Sequence, residues 1–480
     1  MASYKYKQIV DDIIWSIETK LFTHKLPSIR RLAKTKGVSI STVLQALSEL
    51  ERMGWIYPEP KRGYFVRVSP KVTAPSNYGK KINRINTAKN LAQSVQYSFN
   101  EPHIIPLSCT APSTVIDNES IINRYHKKVL AARPYKLLMD EPVEGLPELR
   151  QQLSKHLLED QQRVTPEQLL ITKGRQQGLF IALSASNSIS GTIAVESPVS
   201  FFYQAFLTQL GLNVVEIPIQ ADYQQELTLL TQAYESSPFD CYLVNPNFAD
   251  PTGRLLTIEN KKALLKWAEQ RQITIIEYDR GELSFDQNRP PSLAAVALDM
   301  IKLSELNGDK IKLISNADFF DTVSPALHLG YLICLNTYQD CLFCKQVIAE
   351  EADISLQHIV NGLMRDGVYR KQVKKLRYES KSNYMRALRI LEPLHDYGVE
   401  MTQPNGGPCI WIKLPSGLSS VELWQDLIAK KVAIAPGTMF SFDDALESFL
   451  RVTFALPWNE KIAHAFELLR DEIIVKINNV

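Results

Sequence analysis

Several groupings in this 480-residue chain combine residue types and spacings suited to chemistry. Near the N-terminus Arg30, the hydroxyls of Ser39, Ser41 and Thr42, and the adjacent Lys61 and Arg62 can bond phosphate oxygens and base edges. Further along, "GRQQGL" puts Gly174 and Arg175 at a predicted helix start, where free backbone N–H groups attract anions and Arg175 adds charge. Residues 318–331 read "DFFDTVSPALHLGY" and set the acid Asp321 just ahead of Ser324-Pro325 and Gly330-Tyr331. Cys341 and Cys344 form a C-x-x-C pair, but a metal or redox role needs a second ligand pair or a suitable setting. Neither is evident, so the pair reads as ordinary helix residues, and no metal site is expected.

The elements that must carry the N-terminal set are short. In "YKQIVDDIIWSIETKL" Ile9, Ile13, Ile14 and Ile17 share one helical face. Ser28 is a plausible N-cap for "IRRLAKTKG", and Gly37 a plausible stop. "VSISTVLQALSELERMG" reads as a third helix with Val43, Leu47 and Leu50 inward. "WIYPE" and "GYFVRV", joined through "PKRG", read as two strands. Three helices and a basic hairpin make a winged helix-turn-helix. It places the start of the third helix in a major groove, Arg30 on a phosphate, and Lys61 and Arg62 at the wing tip.

Charge supports that division. Residues 1–100 hold 17 Lys+Arg against 6 Asp+Glu, leaving 37 basic and 46 acidic residues in the rest of the chain. A basic first fifth on an acidic body fits a module for a polyanion. At 45% hydrophobic and 22% charged the chain can bury sizeable cores, and its length implies more than one domain. Six cysteines are too few for a disulfide framework. There is no run of eighteen apolar residues, and "MASYKYKQIVDD" lacks the apolar core of a signal peptide, so a cytoplasmic protein is expected.

After the hairpin, "SPKVTAPSNYGKKINRINTAKN" carries five basic residues and no acid. It reads as a solvated linker, with a short helix at "NLAQSVQYSF". The boundaries are therefore 1–68 for the winged helix, 69–105 for the linker and 106–480 for a large domain. Apolar strands such as "QLLIT", "GTIAVE", "CYLVN", "ITIIEYD" and "IKLIS" alternate there with helices, which implies an α/β domain with a mostly parallel sheet. The last hundred residues read as a smaller α+β lobe with "GPCIWIKLP" and "FLRVTFA" as strands.

"LPSIRRLAKTKGVSISTVLQALSELERMGWIYPEPKRGYFV" resembles the DNA-binding domain of the GntR family of bacterial regulators, over residues 4–67. Family members often carry Arg where this chain has Ile40 and Leu44, so an atypical base code is expected. Residues 106–475 resemble fold type I aminotransferases, which use pyridoxal phosphate (PLP). "GLPELRQQL", "ITKGRQQGL", "VESPVSFF", "VNPNFADPTGRLL", "IIEYDRGELSF", "SPALHLGY", "PNGGPCIWIKLP", "VAIAPGTMF" and "LRVTFA" carry the likeness. The fusion is that of MocR-type transcriptional regulators.

The resemblance also implies a site, and here the chain departs from it. The family's cofactor lysine corresponds to Asp321, and the phosphate-binding arginine to His328. The acid that pairs with the cofactor's ring nitrogen corresponds to Glu277, or to Asp279 if the loop shifts by two. The tyrosine on the ring oxygen corresponds to Arg280, and the asparagine before Pro251-Thr252-Gly253 to Asp250. Ser200 takes the place of the stacking aromatic, with Phe201 and Phe202 adjacent. Gly174 and Arg175 fall at the phosphate seat, and Arg451 where a substrate carboxylate is held. Lys310 and Lys312 belong to the strand before Asp321 and are not expected to replace the lysine.

The resulting expectation is a regulator that binds double-stranded DNA and has no PLP cofactor. Its large domain forms a head-to-tail homodimer and senses a small molecule of unknown identity, and Asp321 pairs with Arg280 or Arg175. Two rivals stay open: a regulator holding PLP noncovalently, and an active aminotransferase with a DNA-binding arm.

Overall fold

The computed structural model describes residues 2–18, 22, 24–59, 62–66, 95, 98, 101, 103–132, 142–188, 191–348, 351–442 and 446–479. The chain divides into two compact units, Met1–Ile85 and Asn86–Val480.

The first unit is built from helices α1 (Ala2–Glu18), α2 (Ile29–Lys36) and α3 (Ile40–Arg52) and strands β1 (Ile56–Glu59) and β2 (Gly63–Val66). Ile9, Ile13, Leu32, Val43, Leu47 and Leu50 form one buried cluster, as the helical spacing predicts. Ser28 caps α2 by accepting from the Arg31 N–H, and Gly37 ends it in the left-handed region at φ 62°. Ser39 caps α3, accepting from the Thr42 N–H at 3.2 Å. β1 and β2 pair antiparallel from Ile56–Val66 to Glu59–Gly63, giving the wing.

The second unit is built on a seven-stranded sheet in the order β4-β10-β9-β8-β7-β5-β6. Its strands are β4 (Leu169–Thr172), β5 (Thr192–Ser197), β6 (Asn213–Pro218), β7 (Cys241–Asn247), β8 (Thr274–Asp279), β9 (Leu313–Asp318) and β10 (Gly330–Leu335). All neighbours run parallel except β10, which is antiparallel to both β9 and β4. Helices cover both faces, so β7 and β8 are buried along their whole length. Alternation divides the side chains. Ile275 faces a cluster with Leu264 and Leu293, and Ile276 and Tyr278 face one with Leu179 and Tyr203.

A four-stranded antiparallel sheet completes the unit, in the order β11-β12-β15-β14. Its strands are β11 (Glu400–Met401), β12 (Cys409–Lys413), β14 (Ala435–Pro436) and β15 (Phe449–Thr453). The expected strands "GPCIWIKLP" and "FLRVTFA" are its centre. Most of the expected linker, and most of the helix expected at 90–99, lies outside the described residues. At its far end the structure differs from the expected boundary. Residues from Asn86 onward group with the second unit, Val95 and Ser98 are buried, and β3 (Ile105–Pro106) pairs with β13 (Val432–Ala433). An apolar pair inside a polar stretch was the signal for that pairing. Cys341 and Cys344 are free thiols on the Tyr338–Ile348 helix.

Candidate functional site

On the first unit the hydroxyls at the start of α3 form a small cluster. The Ser39 Oγ lies 2.8 Å from the Ser41 Oγ and 2.7 Å from the Thr42 Oγ1. Ser39 is therefore occupied in capping; Ser39 and Ser41 are both exposed, and Thr42 is half-buried. Ile40 and Leu44 stand 50% and 43% exposed on the same helix, apolar groups with no core to join. Arg30 is exposed on α2. Arg62 pairs with Glu59 at 2.5 Å and lies 5.3 Å from the Phe65 ring centroid. Lys61 lies outside the described residues.

On the second unit the expected site residues gather at the carboxyl ends of parallel strands, where open α/β sheets bind ligands. Ser200 follows β5, Asp250 follows β7, Arg280 follows β8, and Asp318 and Asp321 end and follow β9. The group is organised as three arginine–aspartate pairs. The Arg280 Nε donates to the Asp321 Oδ2 at 3.0 Å, and its Nη2 lies 3.0 Å from the same oxygen. The Arg451 Nη1 donates to Asp250 at 2.8 and 3.0 Å, and the Ser200 hydroxyl adds a bond of 2.8 Å. The Arg175 Nε lies 3.9 Å from the Asp318 Oδ2. Its guanidinium sits between Phe202 and Phe320, at 4.8 and 4.7 Å from their ring centroids.

Burial sets the electrostatics. It would raise the Asp250 carboxyl, but Arg451 and then Arg280, with the hydrogen bonds, outweigh it and hold the group below its ordinary value. Burial pushes Asp318 up to about 6, against the pull of Arg175 and with the Asp321 charge adding to the rise. The Asp321 Oδ1, the Asp318 Oδ2 and the Tyr203 hydroxyl are buried without a hydrogen-bond partner. Beside Tyr203, Ser200 and Asp250 is a cavity of about 10 Å³, room for one water.

The aminotransferase class I and II family matches residues 126–277 and 328–469, more than half of the chain. The chain belongs to that family. Its N-terminal module matches the gntR family of bacterial regulatory proteins over residues 5–66, and the fusion makes it a homologue of MocR-type regulators. It is 26% identical to the uncharacterized HTH-type transcriptional regulator YjiR of Escherichia coli (strain K12), over 98% of each chain. The HTH-type transcriptional regulator NorG of Staphylococcus aureus (strain USA300) is 24% identical, over 92% of this chain and 97% of its own. The 2-aminoadipate transaminase of Thermus thermophilus is 26% identical, over 71% of this chain and 83% of its own. Among solved structures, the α-aminoadipate aminotransferase LysN of Thermus thermophilus superposes with a TM-score of 0.71. It covers 85% of this chain and 99% of its own at 22% identity, which establishes the fold.

Within this aminotransferase-type unit two expected positions need correction. Glu277 does not face the arginine–aspartate group. It shares the face of Ile275, is fully buried, and accepts from the N–H groups of Leu293 and Ala294 at 2.7 and 3.3 Å. Asp279 lies two residues on and shares that face, bonded by the Asn247 Nδ2 and the Gly281 N–H, both at 2.9 Å, and paired with Arg289. The residue between them is the one that belongs to the site. The Tyr278 hydroxyl lies 3.4 Å from the Arg175 Nη1 and 3.5 Å from the Asp321 Oδ2. The period of two along β8 carried this signal, because Tyr278 and Arg280 must share a face.

The remaining positions are placed as follows. Gly174 opens its helix at φ 77°, a conformation that favours glycine, with no side-chain cap. A Cβ there would lie 3.8 Å from the His328 Cα, so His328 borders the helix start, with its side chain exposed. Lys310 and Lys312 are exposed before the first residue of β9, at the opposite end from Asp321.

A second tier holds the loop after β8 in place. Glu282 accepts from the Arg289 Nη1 and the Arg377 Nη2, both at 2.9 Å, and lies 2.8 Å from the His156 Nε2. Burial would raise this carboxyl, but Arg289, then His156 and Arg377, hold it far below the usual range. His156, Asp160 and Glu282 bring potential ligand atoms within 4.8 Å of one another. With Glu282 engaged by two arginines, the grouping is an ion-pair network.

Proposed function

We propose that this protein is a transcriptional regulator that binds duplex DNA through α3 and the wing, and that its aminotransferase-type unit senses a ligand without PLP and without catalysis. One observation carries the second half: Asp321 stands where the family's lysine is expected, and it is paired to Arg280. A carboxylate cannot form the covalent link. The other cations of the site are also engaged, Arg451 by Asp250 and Arg175 by Asp318. A cofactor phosphate would therefore meet arginines already matched with carboxylates, and its ring would meet Tyr278 beside Asp321. These residues do not fit PLP, and we derive no reaction through it. The first half rests on the gntR match and on the regulator names of full-length relatives.

The unpartnered oxygens of Asp321 and Asp318 and the Tyr203 hydroxyl favour a ligand that brings hydrogen-bond donors. To regulate, that ligand must bind one arrangement of the protein better than another. We place the protein in the cytoplasm as a homodimer, head-to-tail, so that two modules read two half-sites. Among the described residues no helix is long and apolar enough to cross a membrane.

A second reading, PLP held noncovalently, is favoured by one feature, the uncapped helix start at Gly174. The deciding experiment is the Asp321→Lys variant titrated with PLP. The proposal expects no stoichiometric adduct that borohydride fixes to the protein, because Tyr278, Arg280 and the still-paired Arg451 and Arg175 occupy the site. Micromolar formation of that adduct would contradict it. A visible band that dialysis removes from the wild type would support the second reading.

A further inference from the structure

The long helix Val368–Leu391 of the second unit carries charge out of keeping with its surroundings. Its 24 residues hold eight basic side chains, at 370, 371, 374, 375, 377, 381, 386 and 389, and one acid, Glu379. The rest of residues 101–480 is then 29 basic against 45 acidic. Arg377 points inward to Glu282, and the other seven are exposed. Arg370 is paired with Glu159 at 2.7 Å, and Arg386 lies over Trp458 at 5.9 Å. Lys371, Lys374, Lys375, Lys381 and Arg389 have no carboxylate within ion-pair distance among the described residues.

These five share one side of the helix, together with Tyr378 and Met385, which are 73% and 51% exposed. At 100° per residue, positions 371, 374, 375, 378, 381, 385 and 389 fall within a stripe less than half the circumference wide. From Lys371 to Arg389 it runs about 27 Å at 1.5 Å per residue. An ordinary solvated helix face mixes signs at i,i+3 and i,i+4. Here Lys371 faces Lys374 and Lys375 at those spacings, and each like-charge pair destabilises the helix slightly. A stripe of one sign, on a body of the other, with an exposed tyrosine among the lysines, matches a polyanion.

We infer that this face is a second DNA-backbone contact, additional to the winged helix and independent of base sequence. The inference rests on the DNA-binding reading. Its partner is the phosphate array of the duplex, which places one charge about every 1.7 Å of axis. Lys371, Lys374, Lys375, Lys381 and Arg389 would track it, and the Tyr378 hydroxyl can add a phosphate bond.

The test is lysine footprinting of the full chain, acetylating with and without a random-sequence duplex of about six helical turns at low salt. Protection of Lys371, Lys374, Lys375 and Lys381 is expected, with exposed Lys266 and Lys302 unchanged as internal controls. Equal modification rates with and without DNA would overturn the inference. So would a stripe that is already blocked before DNA is added, which would assign it to a second protein chain. The variant Lys374→Ala/Lys381→Ala should lower the slope of log affinity against log salt by about 1.8, at about 0.9 for each phosphate no longer neutralised. An unchanged slope overturns the inference by a route that does not depend on acetylation. Failure of the winged-helix reading is seen separately, as an Arg30→Ala variant that binds DNA like the wild type while the stripe lysines are still protected.

Discussion

Arg30 and Arg280 show two opposite uses of the same side chain. Arg30 is exposed on α2 and is available to an outside phosphate. Arg280 is buried on the second unit and committed to Asp321. The same contrast separates the surface of the first unit from the buried site of the second. The first presents polar and cationic groups to solvent, and the second matches each arginine of its site with an aspartate. An uncommitted cation contributes to binding and little to folding. A buried, paired one contributes mainly to keeping its partner's charge from being stranded.

The largest expected effect is on DNA binding. If the winged helix and the lysine stripe together cover about six phosphates, raising salt from about 50 to about 200 mM should weaken duplex binding by about a thousandfold. Fluorescence anisotropy across that range measures it, and a flat profile would erase the distinction between the units. Next come the buried pairs. Asp321→Ala and Asp250→Ala should each lower stability by about 3 kcal/mol, because each leaves an arginine buried and uncompensated. Replacing both partners, as Asp321→Leu with Arg280→Met, should recover most of that loss in a denaturant titration. If the single and double replacements cost the same, the pairs are not what holds the site.

Glu282 sharpens the comparison through pH. Its folded-state carboxyl is held below the ordinary value, so its contribution is present above the unfolded-state value of about 4.3 and is lost as pH falls below it. Glu282→Gln should be less stable at neutral pH and lose less on acidification than the wild type. A parallel pH profile for the two proteins would argue against the network. The smallest expected effects return to the first unit. Arg30→Ala should leave stability within about 0.5 kcal/mol and weaken DNA binding by about 1–2 kcal/mol. Thr42→Ala should act more on specific sites than on random duplex.

Much of this was legible in the chain. Ile9, Ile13, Val43 and Leu47 announced a helical core by their spacing, and Ser28 and Gly37 marked the ends of α2. The apolar runs of β5, β7 and β8 announced a sheet buried on both faces. The direction of individual side chains within that sheet was harder to read. Glu277 matched by residue type, yet the face it occupies follows from the pleat, which sets Tyr278 toward Asp321 and Glu277 toward the helix starting at Leu293. The partners were harder still. Asp250 and Arg451 are 201 residues apart, and Arg377 and Glu282 are 95 apart. No local pattern encodes pairs brought together by a crossover. Ile105, the first residue of the strand Ile105–Pro106, falls at the end of the expected linker for the same reason, since its partner Val432 is far away in the chain.

The measurement closest to the central claim is a visible absorbance spectrum of the purified wild-type protein. It is taken after incubation with excess PLP and gel filtration, followed by borohydride reduction and intact mass. The account predicts a colourless protein of unchanged mass. A stoichiometric band retained through filtration, with a mass gain after reduction, would show a lysine-linked cofactor in this cleft and contradict it.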